Sequence, residues 1–160
     1  MSSDNWETPQ WLFDELNEEF NFDIDLCATK ENSKCNQYYI DYLKNIKKDF
    51  TWWAVEYRPL KHKYNCAFMN PPYSNPKPFI EKAWEDSKYC KIVCLVPNTI
   101  KTAKYLDLLD EHNGEGTFRQ WKKGLEIKDL SRRTKFNHPT KIASSPSFGG
   151  MLLIMDRRNV

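Results

Sequence analysis

Asn70-Pro71-Pro72-Tyr73 follows the short apolar run Cys66–Met69 and has the residue types needed to hold an amino group. The asparagine side chain offers an acceptor oxygen and an NH2 donor. A residue before proline is driven to extended conformations, and prolines have no N–H to give, so the Pro71 carbonyl stands as an acceptor in a stiff loop. Asn70 and that carbonyl, fixed relative to each other, can take both hydrogens of a planar exocyclic –NH2. Gripping the hydrogens out of the ring plane turns the nitrogen lone pair away from ring conjugation and makes it nucleophilic. Tyr73 adds an aromatic face on which a base can stack.

Such a loop needs a frame. Thr8-Pro9 gives a hydroxyl N-cap followed by proline at the first helical position, and Leu12, Leu16 and Phe20 recur at helical spacing, flanked by Trp11 and Phe13. The pattern predicts a helix over 9–20. Phe22–Cys27 alternates apolar and acidic residues, the period of a strand. Cys66–Met69 reads as a strand stopped by two prolines, and Asn75-Pro76 opens a second helix with Phe79, Ala83 and Trp84 on one face. Ile92–Val96 is a continuous apolar run, as in a strand buried on both faces. A third helix is expected over 100–111 and late strands at Thr117–Trp121 and Phe148–Met155, separated by the basic, polar stretch Lys122–Pro146. Tyr38–Leu43 is open between strand and helix start. Strands alternating with helices predict an α/β domain with a mainly parallel sheet. Ligands of such sheets bind beyond the carboxyl ends of the strands, where Asp25–Thr29, Asn70–Tyr73 and Pro97 would lie.

The 160 residues suit one domain, and with 40% apolar and 14% aromatic residues the chain is neither disordered nor of low complexity. Its apolar runs are too short to span a bilayer, and the acidic, polar N-terminus has no basic and apolar leader pattern; a soluble intracellular protein is expected. The five cysteines (Cys27, Cys35, Cys66, Cys90, Cys94) are scattered without a CxxC pair, and read as reduced core thiols. The net charge of +2 is unevenly spread: residues 1–50 hold 5 basic against 11 acidic residues, and residues 111–160 hold 10 against 5. Eight basic residues fall between Arg119 and Lys141, either a solvated face or a patch that contacts phosphates.

Asn-Pro-Pro-Tyr resembles motif IV of the class I S-adenosylmethionine-dependent methyltransferases that act on amino nitrogens. Trp6-x-Thr8-Pro9 ahead of a helix resembles the N-terminal motif of these enzymes, where the Thr-Pro region approaches the methionine carboxylate of the cofactor. Asp23–Thr29 with Glu31–Cys35 resembles the motif I region of the phage-type DNA N6-adenine methyltransferase family. Arg133-x-Lys135-Phe136 and Ser144–Phe148 are similar to that family's C-terminal part. In place of the usual Gly-rich turn of motif I the chain has Cys27-Ala28-Thr29, and all 5 glycines lie beyond residue 113. The resemblance implies a Rossmann-like class I methyltransferase fold in a single domain: a mainly parallel sheet flanked by helices with an antiparallel C-terminal strand and no separate target-recognition domain. It implies methyl transfer from S-adenosylmethionine to N6 of adenine in DNA, with the base flipped into the pocket and no metal.

By the same resemblance, Asn70, Pro71, Pro72 and Tyr73 form the catalytic loop, and Trp6, Thr8, Pro9, Asp25, Cys27, Ala28 and Asn70 lie along the cofactor. Arg119, Lys122, Lys123, Arg132, Arg133 and Lys135 are the expected DNA-backbone contacts. Selectivity would be loose, or come from the Lys122–Pro146 stretch or from dimerisation, and the expected setting is the cytoplasm of a phage's host. The tetrapeptide alone leaves open an RNA or protein amino group as substrate, or a degenerate module that binds without turnover. Asp49-Phe50 is a further candidate for the cofactor's adenine, and Pro97-Asn98 for the border of the target-base pocket. Trp52, Trp53, Trp84 and Trp121 read as packing residues, and His62, His112 and His138 show no triad or metal spacing.

Overall fold

The structure, a computed structural model, describes residues 7–44, 46–47, 64–97, 104–135 and 147–160, with backbone alone at 46–47, 104–105, 131–135 and 147–149. Trp6, Asp49-Phe50 and Asn98 lie outside the described residues, as do the side chains of Arg132, Arg133 and Lys135.

Among the described residues the strands are β1 (Ile24–Asp25), β2 (Gln37–Asp41), β3 (Ile46–Lys47), β4 (Cys66–Met69), β5 (Lys91–Pro97), β6 (Leu125–Lys135) and β7 (Ser147–Met155). They form one seven-stranded sheet in the order β3-β2-β1-β4-β5-β7-β6. β2, β1, β4 and β5 run parallel, whereas β3 and β7 are antiparallel to their neighbours. The protein is therefore a mixed α/β structure, and the expected antiparallel C-terminal strand is present as β7.

Side-chain alternation divides the core between the two faces of this sheet. Leu12, Phe13 and Leu16 of α1 (Gln10–Phe20) pack with Cys66, Phe68, Val93, Leu95, Leu152 and Ile154. On the other face, Ile80, Ala83 and Trp84 of α2 (Lys77–Asp86) meet Ala67, Met69, Ile92, Cys94, Val96, Met151 and Leu153. Leu106 and Leu109 of the 3-10 helix Lys104–Leu109 join this second layer. β4 is buried at every position, which explains an apolar run without a period of two. Gly150, paired with Pro97, leaves room for Leu130: a Cβ there would stand 2.8 Å from the leucine Cδ1.

Several expectations are corrected. The hydroxyl of Thr8 does not cap α1; Pro9 is the N-cap, and its carbonyl accepts from Leu12 N–H and Phe13 N–H, both at 3.1 Å. Within the described part of 100–111 the helix is 3-10, consistent with buried Leu106 and Leu109 three apart. Thr117–Trp121 is a loop, held by an isolated bridge of Asp110 with Trp121, by the Arg119–Asp107 ion pair and by Trp121 packing on the α2-side core. The Asp110 carboxylate shapes that loop by accepting from Gly114 N–H and Gln120 N–H, each at 2.7 Å. The stretch read as a basic connection instead contains β6, the long edge strand. Cys27 and Cys35 are half-buried, unlike buried Cys66, Cys90 and Cys94. Among the described residues no helix is long and apolar enough to cross a membrane.

Candidate active site

The parallel strands leave β1 on opposite sides, β2 on one flank and β4 on the other, so a crevice opens at their carboxyl ends. A cleft of about 820 Å³ occupies it. Its lining comes from the turn after β1 (Cys27, Ala28, Thr29), the end of β2 (Ile40, Asp41, Tyr42, Leu43), the loop after β4 (Asn70, Pro72) and Phe79 of α2.

Asn70 leaves β4 at the motif loop, and its Nδ2 donates to Thr8 Oγ1 at 3.0 Å. Its Oδ1 is buried and, among the described residues, has no hydrogen-bond partner. A buried acceptor without a donor costs about 1–3 kcal/mol, so it marks a place where a donor from outside fits. Pro71 is buried, and Pro72 faces the cleft. Tyr73 is half-buried against the α1-side core, with its hydroxyl 3.5 Å from the Leu95 carbonyl.

The turn after β1 is shaped by side chains in place of glycines. Asp25, buried at the end of β1, accepts from Cys27 N–H through Oδ1 and from Lys34 N–H through Oδ2, both at 3.2 Å. Burial pushes its carboxyl up to about 6, against the lowering effect of those two backbone bonds. Asn32 Oδ1 accepts from Thr29 N–H at 2.7 Å, and Ser33 Oγ donates to the Cys35 carbonyl at 2.7 Å. Asp25 thus organises the turn while Cys27, Ala28 and Thr29 face the cleft.

A sequence model of the family described as DNA N-6-adenine-methyltransferase (Dam) matches residues 1–118. The chain belongs to this family. Curated relatives include the DNA N-6-adenine-methyltransferase of Haemophilus phage HP1 (strain HP1c1), 32% identical over 108 residues, which cover 66% of this chain and 56% of the relative. The protein of the same name from Escherichia phage T1 is 30% identical over 106 residues, covering 65% of this chain and 40% of the relative. The matches thus span about half the length of these relatives.

In this Dam-family chain, Thr8, just ahead of α1, meets Asn70 of the β4 loop, and Cys27, Ala28, Asn70 and Pro72 line one cleft, whereas Thr8, Pro9, Asp25, Pro71 and Tyr73 are not part of its lining. By backbone register the expected basic residues fall toward two ends of β6. Lys122 and Lys123 precede β6, whose first residue pairs with Met155, itself opposite Ile92 near the amino end of β5. Arg133 and Lys135 pair with Gly149 and Ser147, beyond the last β5 pairing of Pro97 with Gly150, so their backbone stands past the cleft edge of the sheet. Arg119 Nη1 is tied to Asp107 at 2.7 Å with its guanidinium 5.7 Å from the Trp121 ring, and Lys122 Nζ donates to the Leu108 carbonyl at 2.8 Å.

Asp41 and Glu7 are acidic cleft residues that sequence reading passed over. An acid at the end of the second strand is a signal, but only once 37–41 is known to be that strand. Tyr42 is also new. Its hydroxyl donates to Asp86 Oδ2 at 2.5 Å, and Lys82 Nζ meets the same oxygen at 2.9 Å, tying the β2 end to α2.

Proposed function

We propose that the chain transfers a methyl group from S-adenosylmethionine to N6 of adenine in DNA, on a Rossmann-like class I methyltransferase fold. The strand order with its antiparallel β7, and a cleft at the point where the order reverses, support the fold. Two relatives named DNA N-6-adenine-methyltransferase support the substrate. The observation that carries the reading is the buried, partnerless Oδ1 of Asn70 in Asn-Pro-Pro-Tyr at the cleft wall.

The lining suits a nucleoside with a charged tail. Small Cys27 and Ala28 admit close approach, Asp41 offers acceptors for a ribose diol, and Ile40, Leu43 and Phe79 provide apolar surface for a purine. When bound, S-adenosylmethionine would supply a sulfonium methyl for N6, leaving S-adenosylhomocysteine, and the proton lost from N6 would pass to water. Asn70 Oδ1 and the Pro71 carbonyl take the hydrogens of the amino group, hold it out of the ring plane and stabilise positive charge developing on nitrogen. Tyr73 offers its ring to the adenine. The base must leave the duplex to reach this loop, at the expense of a few kcal/mol of stacking and pairing. Backbone phosphates are held by the part of β6 around Arg132, Arg133 and Lys135 that stands past the cleft edge.

The test is nucleoside mass spectrometry after incubation with S-adenosylmethionine and unmethylated duplex DNA. N6-methyladenine is expected from the wild type and none from Asn70→Ala, with cofactor affinity kept within roughly threefold because Asn70 acts on the amine. Near-normal turnover in the variant would remove Asn70 from the reaction.

A further inference from the structure

We infer that Thr8 is a positioning residue that holds the Asn70 carboxamide with its oxygen turned to the incoming amino group, an inference that rests on the proposed amine methylation. Thr8 is 3% exposed, and its hydroxyl, which leaves α1 uncapped, reaches across to a residue 62 positions away. It takes the Nδ2 edge of the amide at 3.0 Å. A carboxamide is planar with its oxygen and nitrogen on opposite edges, so engaging Nδ2 leaves Oδ1 on the other edge. That oxygen is buried without a partner among the described residues.

An amino group carries donors where it meets the loop, so the productive state needs Oδ1 forward and an acceptor behind for Nδ2. Thr8 is that acceptor. Without it, Nδ2 loses its partner in the productive orientation, and the amide gains by turning NH2 forward, donor against donor. The bond also polarises the amide toward oxygen, strengthening the acceptor that grips the amine. The rival role, contact with the cofactor's carboxylate, would have the hydroxyl act on binding instead of on transfer.

Thr8→Val keeps the branched shape and removes the hydroxyl, and Thr8→Ser keeps the hydroxyl alone. With unmethylated duplex DNA and S-adenosylmethionine, valine is expected to lower kcat about tenfold or more, the scale of one hydrogen bond removed. Cofactor Kd by calorimetry should stay within roughly threefold, and serine should restore kcat. Thr8→Ala, which adds no bulk, repeats the measurement if valine disturbs folding. Unchanged kcat in the valine and alanine variants would overturn the assignment. So would retained kcat with a cofactor Kd raised about tenfold, which would make Thr8 a cofactor ligand.

A second readout needs no turnover. The side-chain amide signal of Asn70 in a nitrogen–proton correlation spectrum, assigned by its loss in Asn70→Ala, should shift in Thr8→Val and hold in Thr8→Ser. A wild type that makes no N6-methyladenine would sink the proposed function, and this signal would still decide the Thr8 role: no shift in Thr8→Val overturns it.

Discussion

Asp25 is 3% exposed, and its carboxylate is surrounded by more protein than an acid tolerates cheaply, which raises its pKa to about 6 from an ordinary value of 3.8. The sign of its effect on folding follows. An acid raised in the folded state binds its proton more tightly there, so its contribution is fully present below about 4 and is lost as pH rises through about 6. The shift corresponds to about 3 kcal/mol. Asp25→Asn should abolish that slope: between pH 3 and pH 8 the wild type should lose about 3 kcal/mol more unfolding free energy than the variant, read by denaturant titration at each pH. Parallel pH profiles would show that Asp25 is not buried as an acid. An anion this costly persists because it accepts from Cys27 N–H and Lys34 N–H and so bends the turn that lines the cleft, the task a Gly-rich turn performs in the resembled motif.

At the scale of elements, α2 and the end of β2 are joined by hydrogen bonds from Tyr42 and Lys82 to Asp86. Burial, then the charge of Asp86, push the Tyr42 hydroxyl well up, so it stays a donor at any working pH. Tyr42→Phe leaves the buried Asp86 carboxylate short of a donor, and should destabilise the fold by about 1–3 kcal/mol in chemical denaturation. It should also weaken cofactor binding, since Asp41 and Leu43 flank Tyr42 on the cleft wall. A variant as stable as the wild type would mean that the Tyr42 hydroxyl contributes nothing. This joint was invisible in the sequence, because Tyr42 and Asp86 are 44 positions apart and neither sits in a motif. The motif strand β4, the central strand β5 and both α-helices were legible because burial imposes its period or an unbroken apolar run. β6 was not. Leu125 and Ile127 pack against the α2 layer and Leu130 against the α1 layer, with charged residues between them and a bulge between Asp129 and Arg133 that breaks the period. Likewise Thr8 carried a cap signal that was locally sound, but Asn70 of the β4 loop takes the hydroxyl.

For the whole molecule, the register of β6 and β7 decides which basic residues stand on the cleft side, where the proposed DNA substrate would lie. Arg133 and Lys135 pair past the end of β5 on the cleft side, with Arg132 in the bulge beside them, whereas Lys122 and Lys123 enter β6 at the opposite edge of the sheet. The backbones of these two basic groups thus stand at opposite ends of β6. Removing one basic side chain from a phosphate should reduce the slope of log affinity against log salt by about 0.9. Replacing Arg132, Arg133 and Lys135 together with alanine should therefore flatten the slope by about two to three and weaken binding alike on all sequences. Replacing Lys122 and Lys123 should leave the slope within about half a unit, since both lie away from the cleft and Lys122 Nζ already serves the Leu108 carbonyl. The comparison is made by anisotropy titration of one labelled duplex over a range of salt. Equal flattening by both sets would place DNA across both edges of the sheet; flattening by the lysine pair alone would move the bound duplex to the edge opposite the cleft and separate DNA binding from the Asn70 loop.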